Sequence, residues 1–131
     1  MTSMPLITLV ILLAAVEFMA LGGMVGFARS KYGVKAPATS GHEIFERHFR
    51  VHYNTLEQLL VFIPAVWFFG AYVSESWGAA VGAVFIVARI LYAVGYVRDP
   101  KKREVGSITS FVCQTVLIFG ALYGVIRALI A

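Results

Sequence analysis

The chain has a single cysteine, Cys113. That excludes an intrachain disulfide, and one thiol makes no metal site by itself. Its neighbours are apolar, so it reads as a small buried residue. His42, His48 and His52 lack partner carboxylates at metal-ligand spacing, so no metal site is expected. No Ser-His-Asp signature, phosphate loop or dinucleotide fingerprint occurs. Internal repeats and low-complexity segments are missing too. The apolar runs lack strand-type alternation, which excludes a membrane barrel. The net charge of +4 does not point to nucleic acid. The basic residues sit between apolar segments, where a membrane protein keeps its cytoplasmic loops.

What the chain does have is apolar length. It is 60% hydrophobic over 131 residues, with a mean hydropathy of +0.81. A soluble domain of this size has too little interior to hide so much apolar surface. An integral membrane protein is the class that fits, as one domain over residues 1–131. Four stretches reach the ~20 residues a span needs: Pro5–Ala28, His52–Tyr72, Trp77–Tyr96 and Ser107–Ile130. The first has no basic start and runs past Glu17 to Phe27, so it reads as an uncleaved helix. Only helices or closed barrels satisfy the backbone in lipid, so the spans are helices.

The cations set the orientation. Arg29, Lys31, Lys35, Arg47 and Arg50 fall between the first two spans or at the start of the second. Arg98, Lys101, Lys102 and Arg103 fall between the last two. The turn at Ser74-Glu75-Ser76 has none. The positive-inside rule predicts both basic loops in the cytoplasm and both termini outside. Short connections predict an antiparallel, all-α, four-helix up-down bundle. Pro37 and Gly41 make residues 35–42 a connector. Gly22, Gly23 and Gly26 allow close helix approach.

Two polar clusters interrupt this plan. Arg47, Arg50, Asn54 and Glu57 fall at i, i+3, i+7 and i+10, one face of a helix that then runs apolar to Tyr72. Arg89, Tyr92 and Tyr96 fall at i, i+3 and i+7. Arg103, seven residues further, returns to that face if the helix continues, while Pro100 either bends it or opens a new turn. Both clusters belong to the cytoplasmic ends of neighbouring helices. Headgroup anchoring accounts for Arg98, Lys101 and Lys102. It accounts poorly for Arg50, Asn54 and Glu57, which run inward on one face. Polar groups there are costly unless something occupies them. Several arginines favour a carboxylate or phosphate ligand. Glu57 suits a ligand amine or, failing that, Arg50 or Arg89. A small zwitterionic peptide with two carboxylates fits this set.

The combined pattern resembles the MAPEG superfamily, the membrane-associated proteins in eicosanoid and glutathione metabolism. The matching residues are Glu46-Arg47-x-x-Arg50-x-His52-x-Asn54-x-x-Glu57, then Arg89-x-x-Tyr92-x-x-Gly95-Tyr96, then Arg103. The likeness covers nearly the whole chain. It implies a homotrimer with glutathione bound between subunits near the cytoplasmic side. By position, Arg50, Asn54, Glu57, Tyr92 and Tyr96 bind the tripeptide, and Arg29 and His52 approach from the neighbouring subunit. Arg103 falls where the family's glutathione transferases keep the arginine that activates the thiol. The implied activity is glutathione transfer, hydroperoxide reduction, or both. Glutathione is the cosubstrate, no metal is used, and a lipophilic electrophile or lipid hydroperoxide enters from the bilayer.

Departures narrow the branch. Ser30 follows Arg29 where the leukotriene C4 synthase branch has a second arginine, and Gln58 replaces a tyrosine of that branch. Thr55 stands where microsomal prostaglandin E synthase has an aspartate. A general transferase or peroxidase is therefore expected, of a compact kind that looks bacterial, in an inner membrane. The competing reading is a non-catalytic lipid-binding protein of the same superfamily, which would not need a complete tripeptide site. A small transporter is a third, supported only by Pro64 and Glu17. Trp67, Phe68 and Phe69 read as lipid contacts or core, and Glu17 as structural.

Overall fold

The computed structural model describes residues 3–131; residues 1 and 2 of the expected domain lie outside the described residues. Four long helices follow one another: α1 (Pro5–Tyr32), α2 (Glu43–Tyr72), α3 (Glu75–Arg98) and α4 (Glu104–Ile130). A 3-10 turn, Pro100–Arg103, separates the last two. Each long helix has the length and apolarity to cross a bilayer.

The helix ends are set by local chemistry. Pro5 opens α1, whose Leu6 N–H donates to Glu75 Oε2 at 3.0 Å. The first residue of α3 thus satisfies an orphan donor of α1. Gly33 ends α1 with φ 68°, a left-handed conformation that glycine adopts without a Cβ clash. His42 Nδ1 accepts from Ile44 N–H at 3.1 Å and caps α2. Ser74 Oγ accepts from Trp77 N–H and caps α3. Asp99 Oδ1 accepts from Lys101 N–H at 3.0 Å, so the new turn opens at Pro100. α2 runs unbroken through Pro64.

α2 and α3 each pack against α1, α4 and one another, leaving α1 and α4 on opposite flanks. The core between them is apolar and closely stacked. Ile7, Phe62, Val66, Phe85 and Leu117 are fully buried. The Phe62 and Phe85 rings lie 4.0 Å apart and nearly parallel. Cys113 lies in this core, and so does Phe69, against Gly120. Trp67 and Phe68 face outward. So do Leu12, Met19, Phe111 and Leu129. Such an apolar exterior is a poor surface for water and a fitting one for lipid.

One close approach matters for the site. A Cβ on Gly106 would stand 2.6 Å from Tyr92 Cα and 2.7 Å from the Ala88 carbonyl. The start of α4 therefore lies backbone to backbone on α3. Gly22 similarly lets His52 lie against α1, its virtual Cβ being 3.1 Å from His52 Nε2. A Cβ on Gly23 or Gly26 would meet nothing within 4 Å among the described residues.

Candidate functional site

At the end of the bundle that carries the basic loops, α2, α3, the 3-10 turn and the start of α4 line an open polar cavity of about 440 Å³. Its lining is Arg50, Asn54, Tyr92, Tyr96, Arg103 and Ser107. The two clusters read from the sequence thus meet in one space. Tyr92 and Tyr96, one turn apart on α3, stack with ring centres 5.7 Å apart. Arg103 reaches the cavity by chain reversal rather than along a continued α3. The chain turns at Asp99 and Pro100, and the contact at Gly106 draws the start of α4 inward.

Other residues singled out in the sequence have different places. Glu57 is exposed one turn beyond Asn54 and is not part of the lining. Arg29 donates to the Ala38 carbonyl at 2.6 Å and lies 4.8 Å from the Phe45 ring, bracing the first loop. His52 stacks on Phe18 at 4.3 Å, on the α1 side of α2. Within one chain neither Arg29 nor His52 joins the cavity. Arg47 shares a face with Arg50, yet it serves the end of α3. Its Nη1 donates to the Val97 and Arg98 carbonyls at 3.0 and 3.1 Å, while Nη2 pairs with Glu43. A cation there satisfies carbonyls that the helix leaves open. Gln58 accepts from Gln114 and so ties α2 to α4.

Arg89 also departs from expectation. It is 1% exposed and lies behind the cavity instead of lining it. Its Nη2 donates to Asn54 Oδ1 at 2.7 Å and to Thr55 Oγ1 at 2.8 Å. Its other side faces an apolar groove of about 640 Å³ between α1 and α3, which Glu17 also lines. Glu17 Oε2 is buried there without a hydrogen-bond partner among the described residues. The one carboxyl of α1 therefore lines the same groove as the buried Arg89.

Ser107 was not anticipated as a lining residue. It stands four residues after Arg103, so the helical spacing that joined the other cluster members would have found it. Unlike Ser110 and Thr115, which donate back to the carbonyls of Gly106 and Phe111, its hydroxyl makes no bond to the described residues and is free to meet a ligand. The cavity therefore offers two cations, two phenols, an amide and a hydroxyl, and no carboxylate. Such a set suits an anionic, hydrogen-bonding molecule.

Four membrane-length helices and a polar cavity at one end define a small α-helical integral membrane protein. A family model described as MAPEG family matches residues 7–123, and the chain belongs to that family. Among similar proteins is the uncharacterized protein sll1147 of Synechocystis, 45% identical over 118 residues, covering 90% of this chain and 86% of its own. Microsomal glutathione S-transferase 2 of Mus musculus is 37% identical over 120 residues, covering 92% and 82%. Leukotriene C4 synthase of Bos taurus is 34% identical over 76 residues, covering 58% and 51%.

Proposed function

We propose that this protein is a membrane-bound glutathione transferase, glutathione-dependent peroxidase, or both, working as a homotrimer. The observation that carries the reading is the gathering of Arg50, Asn54, Tyr92, Tyr96 and Arg103 in one polar cavity. The family, and relatives named for glutathione transfer and leukotriene C4 synthesis, support it. Arg50 and Asn54 hold the tripeptide's carboxylates, and the tyrosines add hydroxyl donors. Glu57, exposed one turn beyond Asn54, takes the ligand amine. Arg29 and His52 come from the neighbouring copy. The basic-loop end faces the cytoplasm, in a bacterial inner membrane.

Arg103 stabilises the thiolate. A free thiol titrates at about 8.5, so little is ionised at neutral pH. A guanidinium against sulfur in a partly dry site lowers that value by roughly one to two units. The proton leaves to water. In conjugation the sulfur lone pair forms a C–S bond while the leaving group departs with its electrons. In peroxide reduction the thiolate attacks the distal oxygen of the hydroperoxide, and the O–O bond breaks. The alkoxide takes a proton to give the alcohol. The resulting sulfenic acid condenses with a second glutathione to give the disulfide and water. The lipophilic partner arrives from the bilayer along the apolar exterior.

The test is glutathione binding to detergent-purified protein, followed by thiolate absorbance as pH is raised. Saturable binding with a lowered thiol pKa, lost in Arg103→Ala, supports the reading. A well-folded protein that binds no glutathione refutes it and favours a lipid-binding role.

A further inference from the structure

We propose that Arg89 is a positioning residue that holds the Asn54 amide by its oxygen and so presents the Nδ2 donor to the polar cavity. Asn54 then acts on the ligand as a donor and never as an acceptor. The inference rests on reading the cavity as a glutathione site, and it adds the chemical sense in which Asn54 recognises its ligand.

The argument begins with what a guanidinium can do. It has donors only. The Asn54 atom 2.7 Å from Arg89 Nη2 must therefore be the carbonyl oxygen. The amide nitrogen is the other branch at Cγ, and the guanidinium, which has no acceptor, cannot take its hydrogens. Asn54 lines the cavity, and its nitrogen donates to no described residue. The cavity is the space left to it.

The anchor itself is held on three sides. Thr55 is fully buried, and its hydroxyl hydrogen is committed to the Val51 carbonyl at 2.8 Å. Its oxygen is thereby fixed as an acceptor for Arg89, at 2.8 Å. Both hydrogens of Nη2 are then used, one on Asn54 and one on Thr55. The guanidinium carbon lies 4.3 Å from the Tyr92 ring centre, which backs a second lining residue. Arg89 thus contacts two cavity residues from behind while staying out of the cavity. An arginine in an apolar interior is costly unless its donors are matched. Asn54 and Thr55 supply two acceptors; Nε is buried without a partner among the described residues, and Glu17 lines the same groove.

A donor at Asn54 suits a ligand carboxylate. An acceptor there would suit the ligand amine. Glutathione carries both groups, so the two orientations predict opposite results for one substitution. Asn54→Asp keeps an oxygen on Arg89 and turns the second oxygen, a further acceptor, into the cavity. Glutathione affinity of detergent-purified wild type, Asn54→Ala, Asn54→Asp, Arg89→Met and the Arg89→Met/Asn54→Ala double variant would be measured by calorimetry.

Asn54→Ala is expected to weaken binding by roughly 10- to 100-fold, the range for a charge-assisted hydrogen bond. Asn54→Asp should bind more weakly still while unfolding no earlier than wild type. Arg89→Met should weaken binding about 10-fold, and the double variant no more than Asn54→Ala alone, because the two changes remove one interaction. Tighter binding by Asn54→Asp than by Asn54→Ala overturns the inference. So does a double variant whose loss is the product of the single losses. If Arg89→Met does not fold, the comparison of Asn54→Asp with Asn54→Ala still decides. Wild type that binds no glutathione removes the underlying reading instead.

Discussion

Gly106→Ala adds one methyl group at the contact that brings α4 to the cavity. Its Cβ would stand 2.6 Å from Tyr92 Cα and 2.7 Å from the Ala88 carbonyl oxygen. Ordinary van der Waals contact begins near 3.4 Å. Both obstacles are backbone atoms in the middle of α3, so no side chain can rotate aside. Relief requires the first turn of α4 to move outward by close to an ångström. Overpacking of this kind costs about 1–3 kcal/mol, and a rigid backbone puts it at the upper end. The helix preference of Ala over Gly, about 1 kcal/mol, works the other way. A net loss of stability therefore reports the clash. Arg103 and Ser107 flank Gly106 and move with it. A misplacement of about 1 Å at a reacting group costs on the order of 100-fold in rate. Thermal unfolding in detergent and the rate at saturating glutathione are the assays. We expect a lower midpoint and a rate reduced roughly 10- to 100-fold. Unchanged stability together with an unchanged rate would refute the claim that this contact sets the cavity.

Three further outcomes follow from single side chains. In Arg103→Ala the bound thiol returns to about 8.5; if wild type holds it near about 7, thiolate at pH 6.5 falls from about a quarter to about 1%. A lower pKa means more thiolate at low pH, so the rate loss should be about 20-fold at pH 6.5 and under about 2-fold at pH 9.5; equal losses would remove Arg103 from thiol activation. Phe62→Ala empties half of the fully buried Phe62–Phe85 stack and should cost about 3–5 kcal/mol, read from reversible unfolding in mixed micelles. Arg47→Ala opens the Val97 and Arg98 carbonyls at a cost of about 1–2 kcal/mol; amide exchange should speed up in the last turn of α3 while the core of α2 stays protected.

The spans were legible because a bilayer crossing needs a long apolar run, which composition alone reveals. Their ends were not, because caps rather than apolarity decide where a helix stops. α2 begins at Glu43, beside its His42 cap, ahead of the apolar span that starts at His52. α1 continues to Tyr32 and stops at Gly33. Helical spacing correctly grouped Arg50 with Asn54 and Tyr92 with Tyr96. It could not tell depth: Arg89 shares its periodicity with Tyr92 yet points behind the cavity. It also could not tell function within a face, since Arg47 spends its donors on α3. The site's closure by Gly106 is a contact between distant segments, which no local pattern contains.

The two faces of α2 pose the remaining question. Arg50 and Asn54 look into the cavity, while His52 stacks on Phe18 of α1. Two residues along a helix turn it by about 200°, so no rotation of one side chain brings His52 to Asn54. If His52 and Arg29 serve the site, they serve that of another copy. Complementation separates the cases. One variant carries Arg29→Ala and His52→Ala, which spoil the donated face and leave the cavity whole. The other carries Asn54→Ala and Arg103→Ala, which spoil the cavity and leave the donated face whole. Each alone should lack most activity. In a ring of randomly mixed subunits, about one junction in four joins an intact cavity to an intact neighbouring face. Co-purified mixtures should therefore recover about a quarter of wild-type activity. A mixture no more active than its parents would mean that each cavity works with residues of its own chain, and His52 would then be only the packing partner of Phe18.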